Sequence, residues 1–490
     1  MSAEHVAARA GAYADSVTLM QVSSAARSSE GVEAALVAMA TELNLGLLPS
    51  MGFRPPAGAG PNDLLIAIRA RDGAALATAL AVVEAALAAR PAGTDGTGQV
   101  TVRPRTTFGA TRQCGPGLAL VSVPGRFAFA EAMDALQAGC DVMIFSDNVP
   151  AEQEIALKDL AAERGLLVMG PDCGTAIVGG IGLGFSHSLP AGPIGLVAAS
   201  GTGAQQVLCL LAHAGAGVSA ALGVGGRDLS AAIGGRSARA ALAALADDPA
   251  TELIVVLSKP PDPQVAAALR DYAAGLATPV QFAFTGRGQP DLTAATERAL
   301  RAAGLPVPAW PRWTPEHRRP VRPGMLRGLF AGGTLCDEAM VIASERLGPV
   351  RSNIPLRPEW ALPPWPVARL PAGHTMIDFG DDELTAGRPH PMIDQTLRLE
   401  RLAAAAADPQ VAVIQLDVVL GHGAHPDPAA GLAPVIAAAP QPVVVALIGA
   451  PSDPQGVGRQ AETLRAAGAD VFASNAAATR FACATVAGAR

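Results

Sequence analysis

Aromatic residues are scarce in this chain: Phe, Trp and Tyr make up 4% of its 490 residues. Its cores must therefore be built from Ala, Val, Leu and Ile, which suits parallel sheets with helices packed close through small side chains. Charge is scarce too, 16% of residues against 50% hydrophobic, so apolar material for large cores is plentiful. The net charge of -7 and the lack of a basic stripe exclude a nucleic-acid footprint. One basic cluster, Arg312 to Arg322, is broken by prolines and reads as a linker. Six cysteines occur, and none forms a C-x-x-C pair, so neither a zinc knuckle nor a disulfide framework is indicated. No apolar run approaches the ~18 residues of a membrane span. The opening MSAEHVAARAGAYADSV lacks the basic-then-apolar layout of a signal peptide. The expectation is a cytoplasmic protein that binds neither membrane nor nucleic acid.

The length predicts about two to four domains. Near the start, SVTLMQV, GVEAALVAM and NDLLIAIRA read as strands, and TELNLGLL and DGAALATALAVVEAALAA as helices. That order suggests a small α+β layer of the ferredoxin-like or ACT-like kind. A Gly-, Thr-, Arg- and Pro-rich stretch, Pro91 to Pro116, reads as a linker. From Leu118 onward strands alternate with helices of ~10–15 residues, the rhythm of parallel βαβ units. The expected class is α/β, with three successive parallel-sheet domains after the small α+β one. The expected boundaries are 1–112 for the small domain and linker, 113–190 for a Rossmann-like domain and 191–305 for a flavodoxin-like domain. A linker at 306–323 and a second flavodoxin-like domain at 324–490 complete them.

Two strand-to-helix turns repeat one device. GLVAASGTGAQQV begins at Gly195 and GLFAGGTLCDEAM at Gly328; in each a strand runs through a small-residue turn into an amphipathic helix. Packing rules shared by any two βα units explain such a likeness as well as a common task does. As a task, Ser200-Gly201-Thr202-Gly203 and Gly332-Gly333-Thr334 place two helix N-termini on one anion, each worth ~1 kcal/mol when exposed. Asp172 and Cys173 lie in the turn-rich loop from Gly170 to Thr175. Asp172 caps a turn or holds a substrate amide. Cys173 is a packing residue, or a nucleophile if a helix N-terminus lowers its pKa. Gly225-Gly226-Arg227 follows a strand, and Arg227 suits a carboxylate unless it is ordinary surface charge. His422 and His425 follow the strand VAVIQLDVVLG. They are loop histidines or substrate contacts, and a metal there lacks a third ligand. The acids from Asp378 to Glu383, with His390, are either solvated or orient an amide substrate or Mg²⁺.

The stretch from Val123 to Thr175, VPGRFAFAEAMDALQAGCDVMIFSDNVPAEQEIALKDLAAERGLLVMGPDCGT, resembles the α subunit of succinyl-CoA synthetase. IGLVAASGTG and ALGVGGRDL resemble its next domain, and the C-terminal domain resembles the ligase domain of the β subunit. With YADSVTLMQVSS and MATELNLGLL, nearly the whole chain resembles FdrA-type proteins. In that superfamily paired helix N-termini bind phosphate or a phosphohistidine. Here the place of the phosphate-carrying histidine is AFTGRGQPDL, residues 283–292, without histidine. His213-Ala214-Gly215-Ala216 mimics that motif at the end of a helix instead. FGATRQCGPGLALVSVP stands where the Gly-rich CoA-binding unit begins, so CoA binding does not carry over, and no ATP-grasp segment is present. The resemblance implies a subunit of an oxamate carbamoyltransferase, turning oxalurate and phosphate into oxamate and carbamoyl phosphate with partner subunits in an oligomer. Phosphate and carbamoyl phosphate are then substrates, no cofactor is assigned, and Mg²⁺ is an option. The expected catalytic residues are Ser200, Thr202, Asp172, Cys173, His390 and His422. The expected binding residues are Gly201, Gly203, Gly225, Gly226, Arg227, Gly332, Gly333 and Thr334, and no metal ligand is assigned. An ADP-forming acid–CoA ligase and a regulatory subunit with an ACT-like effector domain are the alternatives.

Overall fold

The computed structural model describes residues 2–12, 14, 16–88, 104, 106–364, 370–385 and 388–488. The chain divides into two compact units, residues 1–105 with 386–389, and the remainder.

In the first unit β1 (Ala3–Arg9), β2 (Val32–Met39) and β3 (Leu64–Ala70) form an antiparallel sheet in the order β1-β3-β2. Three helices, α1 (Ser16–Arg27), α2 (Glu42–Leu47) and α3 (Gly73–Ala88), accompany it. Two expectations change here. SVTLMQV is the start of α1, not a strand. Its β-branched residues favour a strand locally, but Leu19, Val22 and Ala26 are the buried ones, and that spacing is helical. The first strand is β1, which pairs with β3 and whose polar, Ala-rich sequence carries little strand signal.

The second unit begins inside the expected linker. Thr107–Cys114 forms α4, and Thr106 caps it by accepting from the Gly109 amide at 3.0 Å. Residues 91–103 and 105 of that linker lie outside the described residues. Then come β4 (Leu118–Val121), α5 (Gly125–Gln137), β5 (Asp141–Ile144), α6 (Ala151–Arg164) and β6 (Val168–Met169), a three-stranded parallel sheet.

The hairpin β7 (Thr175–Val178) and β8 (Ile181–Gly184) leaves that sheet and extends the next one. The next sheet adds β9 (Ala191–Ala199), α7 (Gly201–His213), β10 (Val218–Gly223), α8 (Arg236–Ala246), β11 (Leu253–Ser258), α9 (Pro263–Ala273), β12 (Val280–Phe284) and α10 (Leu292–Ala302). Its order is β12-β11-β9-β10-β7-β8, parallel except for the hairpin.

The last sheet has seven strands in the order β13-β19-β18-β17-β14-β16-β15. Its elements are β13 (Arg312–Trp313), β14 (Met325–Phe330), α11 (Gly333–Leu347), β15 (Val350–Arg351), β16 (His374–Asp378), α12 (Asp382–Thr385) and α13 (Thr396–Ala407). They continue with β17 (Val411–Val419), α14 (Pro428–Ala438), β18 (Val443–Ile448), α15 (Val457–Ala466), β19 (Ala469–Phe472) and α16 (Asn475–Ala487). Every residue of β17 is buried, as expected of a central strand covered on both faces. Part of the second expected linker is ordered as β13, antiparallel to β19, and Arg312 and Arg318 hold Asp470 at 3.2 and 3.0 Å. Helix α11 packs against α16 and against α7 of the preceding sheet. The carboxyl ends of β9 and β14 therefore open toward one place, where open α/β sheets take their ligands.

Candidate functional site

Strand β9 ends at Ala199, and Ser200 caps α7 with its Oγ accepting from the Gly203 amide at 3.1 Å. The same Oγ lies 2.7 Å from Thr334 Oγ1, in the first turn of α11. In return the Thr334 amide donates to Thr202 Oγ1 at 3.3 Å. The two helix N-termini thus touch through three side chains. Gly332 makes the approach feasible, since a Cβ there would stand 2.7–2.9 Å from the Thr202 side chain. The Gly201 and Thr202 amides, at the first helical positions, have no intrahelical acceptor, and the space beside Gly201 is open. The α11 terminus is partly filled already. Ala331 and Gly332 donate their amides to Asp417 at 2.7 and 2.9 Å, and Arg398 holds the same carboxylate at 3.0 Å. That buried pair takes part of the α11 dipole and leaves the α7 terminus as the open one.

A cation that sequence reading passed over completes the mouth. Two of the chain's 36 Lys and Arg residues are lysines. Lys158 is buried between Glu154 at 2.7 Å and Asp228 at 2.8 Å. Lys259 is exposed at the carboxyl end of β11, its Nζ 3.6 Å from where a Gly333 Cβ would stand. The usable signal was its rarity and its place directly after an apolar strand, in VVLSKPP.

Carboxyl groups surround it. Asp378 ends β16; its Oδ1 accepts from the Gly380 amide at 2.9 Å, and its Oδ2 lies 2.7 Å from the Gly333 Cβ position. Burial pushes its pKa up to about 7 despite that hydrogen bond and Lys259. Asp172 has a φ of 59°, and its carboxyl lies 3.4 Å from the Gly226 Cβ position. Desolvation by crowding protein atoms, then Asp382 and Asp147, raise its pKa against Lys259 and Arg227. Asp172 keeps solvent contact, so screening softens that rise, and Asp378 is the better-protected acid. His390 Nδ1 accepts from the Met392 amide at 3.2 Å, which puts the proton on Nε2, facing Gly380. Burial and then Arg398 push its pKa down to about 4, so it is a neutral donor at physiological pH.

Other expected site residues have different work. Cys173 is buried beneath Gly223, and desolvation pushes its thiol up to about 12, which rules it out as a thiolate nucleophile. Gly225 has a φ of 90°, and a Cβ there would stand 2.4 Å from Pro171 O, so it serves a backbone crossing. Arg227 spends its Nη2 on Val149 O at 2.6 Å and Glu154 at 2.9 Å, and its side chain stays half exposed. His422 Nε2 lies 3.0 Å from Ser188 Oγ, and His425 Nδ1 accepts from the Asp427 amide at 3.0 Å, both as loop histidines. Ser200, Thr202, Gly332, Gly333, Thr334, Asp378 and Lys259 share one mouth. His390 adjoins it through Gly380.

Residues 1–104 match the AllF heavy-metal-associated domain family and residues 329–485 the CoA-ligase family. The first segment contains no cysteine and one histidine, His5, so the thiolates that select soft ions are missing and the residues do not fit such a centre. The uncharacterized protein YahF of Escherichia coli is 42% identical over 445 residues, 85% of this chain and 84% of its own length. The ADP-forming succinate–CoA ligase α subunit of Methanothermobacter thermautotrophicus is 29% identical over 152 residues. That match spans 30% of this chain and 50% of the ligase subunit, about half its length. The dinucleotide-forming acetyl-coenzyme A synthetase 1 of Ca. Korarchaeum cryptofilum, in complex with phosphate and ADP, covers 76% of this chain and 84% of its own. That overlay has 17% identity and a TM-score of 0.28, too loose to transfer geometry. No helix among the described residues is long and apolar enough to cross a membrane. The chain belongs with YahF to the FdrA-type family of succinyl-CoA-synthetase-like proteins.

Proposed function

We propose that the chain is the phosphate-handling subunit of a carbamoyltransferase of the oxamate type, working without a phosphohistidine. The observation that carries this is the direct contact of Ser200 with Thr334, beside open α7 amides and an exposed lysine. Hydrogen phosphate sits on the Gly201 and Thr202 amides with Lys259 as counter-charge. One phosphate oxygen attacks the carbamoyl carbon of oxalurate, the carbon–nitrogen bond breaks, and carbamoyl phosphate and oxamate leave. The departing amide nitrogen needs a proton. Asp378, protonated up to about 7, supplies it and is restored by the proton of the attacking hydrogen phosphate. His390 offers its Nε2–H to the carbonyl oxygen.

The test is phosphate-dependent turnover of the carbamoyl donor, with and without candidate partner subunits. Thr202→Val and Lys259→Met should each raise the KM for phosphate about ten- to a hundredfold, roughly 1.4–3 kcal/mol of lost anion binding. A second reading, an acid–CoA ligase, is favoured by the succinate–CoA ligase relatives. CoA-dependent turnover of ATP or ADP, with no phosphorolysis of a carbamoyl donor, would establish it and sink the first.

A further inference from the structure

We propose that His187, Cys209 and Asp453 form a site for a transition-metal ion of the zinc class, between the six-stranded and seven-stranded sheets. The three residues come from the segment after β8, from the middle of α7 and from the loop after β18. One donor atom from each lies within 4.8 Å of the others, and all three residues are buried. A tetrahedral zinc ion holds such donors about 3.3–3.6 Å apart, a contraction within reach of side-chain rotation.

The cluster is incomplete as a purely organic one. His187 Nδ1 lies 2.7 Å from Asp453 Oδ2, and that carboxylate also takes the Ser188 amide at 2.9 Å and the Ala450 amide at 2.7 Å. His187 Nε2 is buried with no hydrogen-bond partner. If the ring is neutral, a lone pair is stranded there, and if it is charged, an N–H is stranded. A divalent ion taken by Nε2 would use that lone pair. With one thiolate, one carboxylate and one neutral imidazole it sums to zero charge, which a dry interior tolerates. Nitrogen, sulfur and oxygen together match a borderline-soft ion, not Mg²⁺ or Ca²⁺. On binding, the Cys209 thiol loses its proton to solvent and a metal–sulfur bond replaces the S–H bond. Three protein donors leave the fourth tetrahedral position to water.

Cys209 lies about 12 Å along α7 from Gly201, at 1.5 Å per residue. The ion would therefore tie the middle of α7 to the last sheet, independently of what its N-terminus binds. His213 is one turn beyond Cys209 on the same face of α7, and its Nε2 is also buried without a partner.

The experiment uses the full chain, stripped by a chelator and titrated with Co²⁺. One cobalt per chain is expected, with a thiolate-to-cobalt charge-transfer band and intense visible bands of tetrahedral cobalt, all displaced by Zn²⁺. Cys209→Ser should abolish the charge-transfer band, and Asp453→Asn should weaken binding at least about tenfold. Cys114→Ser, at the exposed thiol, should leave both unchanged. Because a buried variant can misfold, Cys209→Ala is compared by thermal melting. Zn²⁺ should raise the Tm of the parent chain and not that of the variant. Absence of the bands, their survival in Cys209→Ser, their loss in Cys114→Ser, or an equal Tm rise in Cys209→Ala overturns the proposal.

Discussion

Asp378 carries opposite burdens for stability and for the proposed chemistry. Burial lifts its pKa from 3.8 to about 7, so the folded chain keeps a proton that the unfolded chain releases. Its contribution is fully present below about pH 4 and is lost as pH rises toward 7. Asp378→Asn removes that loss while its Oδ1 can still accept from Gly380. The variant should therefore melt higher than the parent at pH 8 and gain little at pH 4, by roughly 2–4 °C for each kcal/mol recovered. Its phosphorolysis should fall at least about a hundredfold, and the parent's kcat/KM should decline as pH rises through 7. A melting gain independent of pH would show that the carboxyl is not the titrating group. This residue was legible only as one of several acids from Asp378 to Glu383. Its neighbours Asp381 and Asp382 differ in surroundings, not in type, and burial is set by contacts far along the chain.

At the scale of elements, glycine and buried charge hold the helices in place. A Cβ at Gly332 would collide with Thr202, so Gly332→Ala should part the two N-termini at a cost of about 1–3 kcal/mol. Phosphate affinity should fall with it, measured by calorimetry, and Thr202→Gly should restore part of the stability but not the affinity. Helix α6 is pinned by Lys158 to Asp228, whose other bonds cap α8 through the Ser237 and Ala238 amides at 3.1 and 2.9 Å. Lys158→Met leaves Asp228 buried without its cation and Glu154 with Arg227 alone, and should destabilise the second unit by about 3–5 kcal/mol in urea unfolding. Helices α5 and α6 were readable from their periodicity. Helix α1 was not, because Val and Thr at its start speak for a strand until the buried spacing of Leu19, Val22 and Ala26 is known. The hairpin β7–β8 was hidden for another reason: its partner, β10, lies about forty residues on, beyond any local pattern.

The whole molecule divides into two compact units. The first has its own apolar cores, one around Leu19, Ile66 and Ile68 and another around Leu48, Phe53 and Leu65. A chain beginning at Thr106 should therefore keep cooperative unfolding and, under the proposed function, the parent's affinity for phosphate. Circular dichroism and phosphate titration check both. If phosphate binding disappears while the fold persists, the small unit is part of the site, and the regulatory reading gains.

The alternation of strands and helices in the two larger sheets is legible in the chain itself, as are the two small-residue turns that open α7 and α11. Those follow from local period and from glycine's freedom, which neighbouring residues decide. That Ser200 meets Thr334, that Lys259 stands open beside the two turns, and that Cys173 is covered all emerge from three-dimensional packing. Each of these depends on residues fifty to more than a hundred positions away, through desolvation and through which partner reaches a charge first. Such terms have no signature within a window of sequence, because one side chain is a ligand when open to solvent and a packing unit when covered.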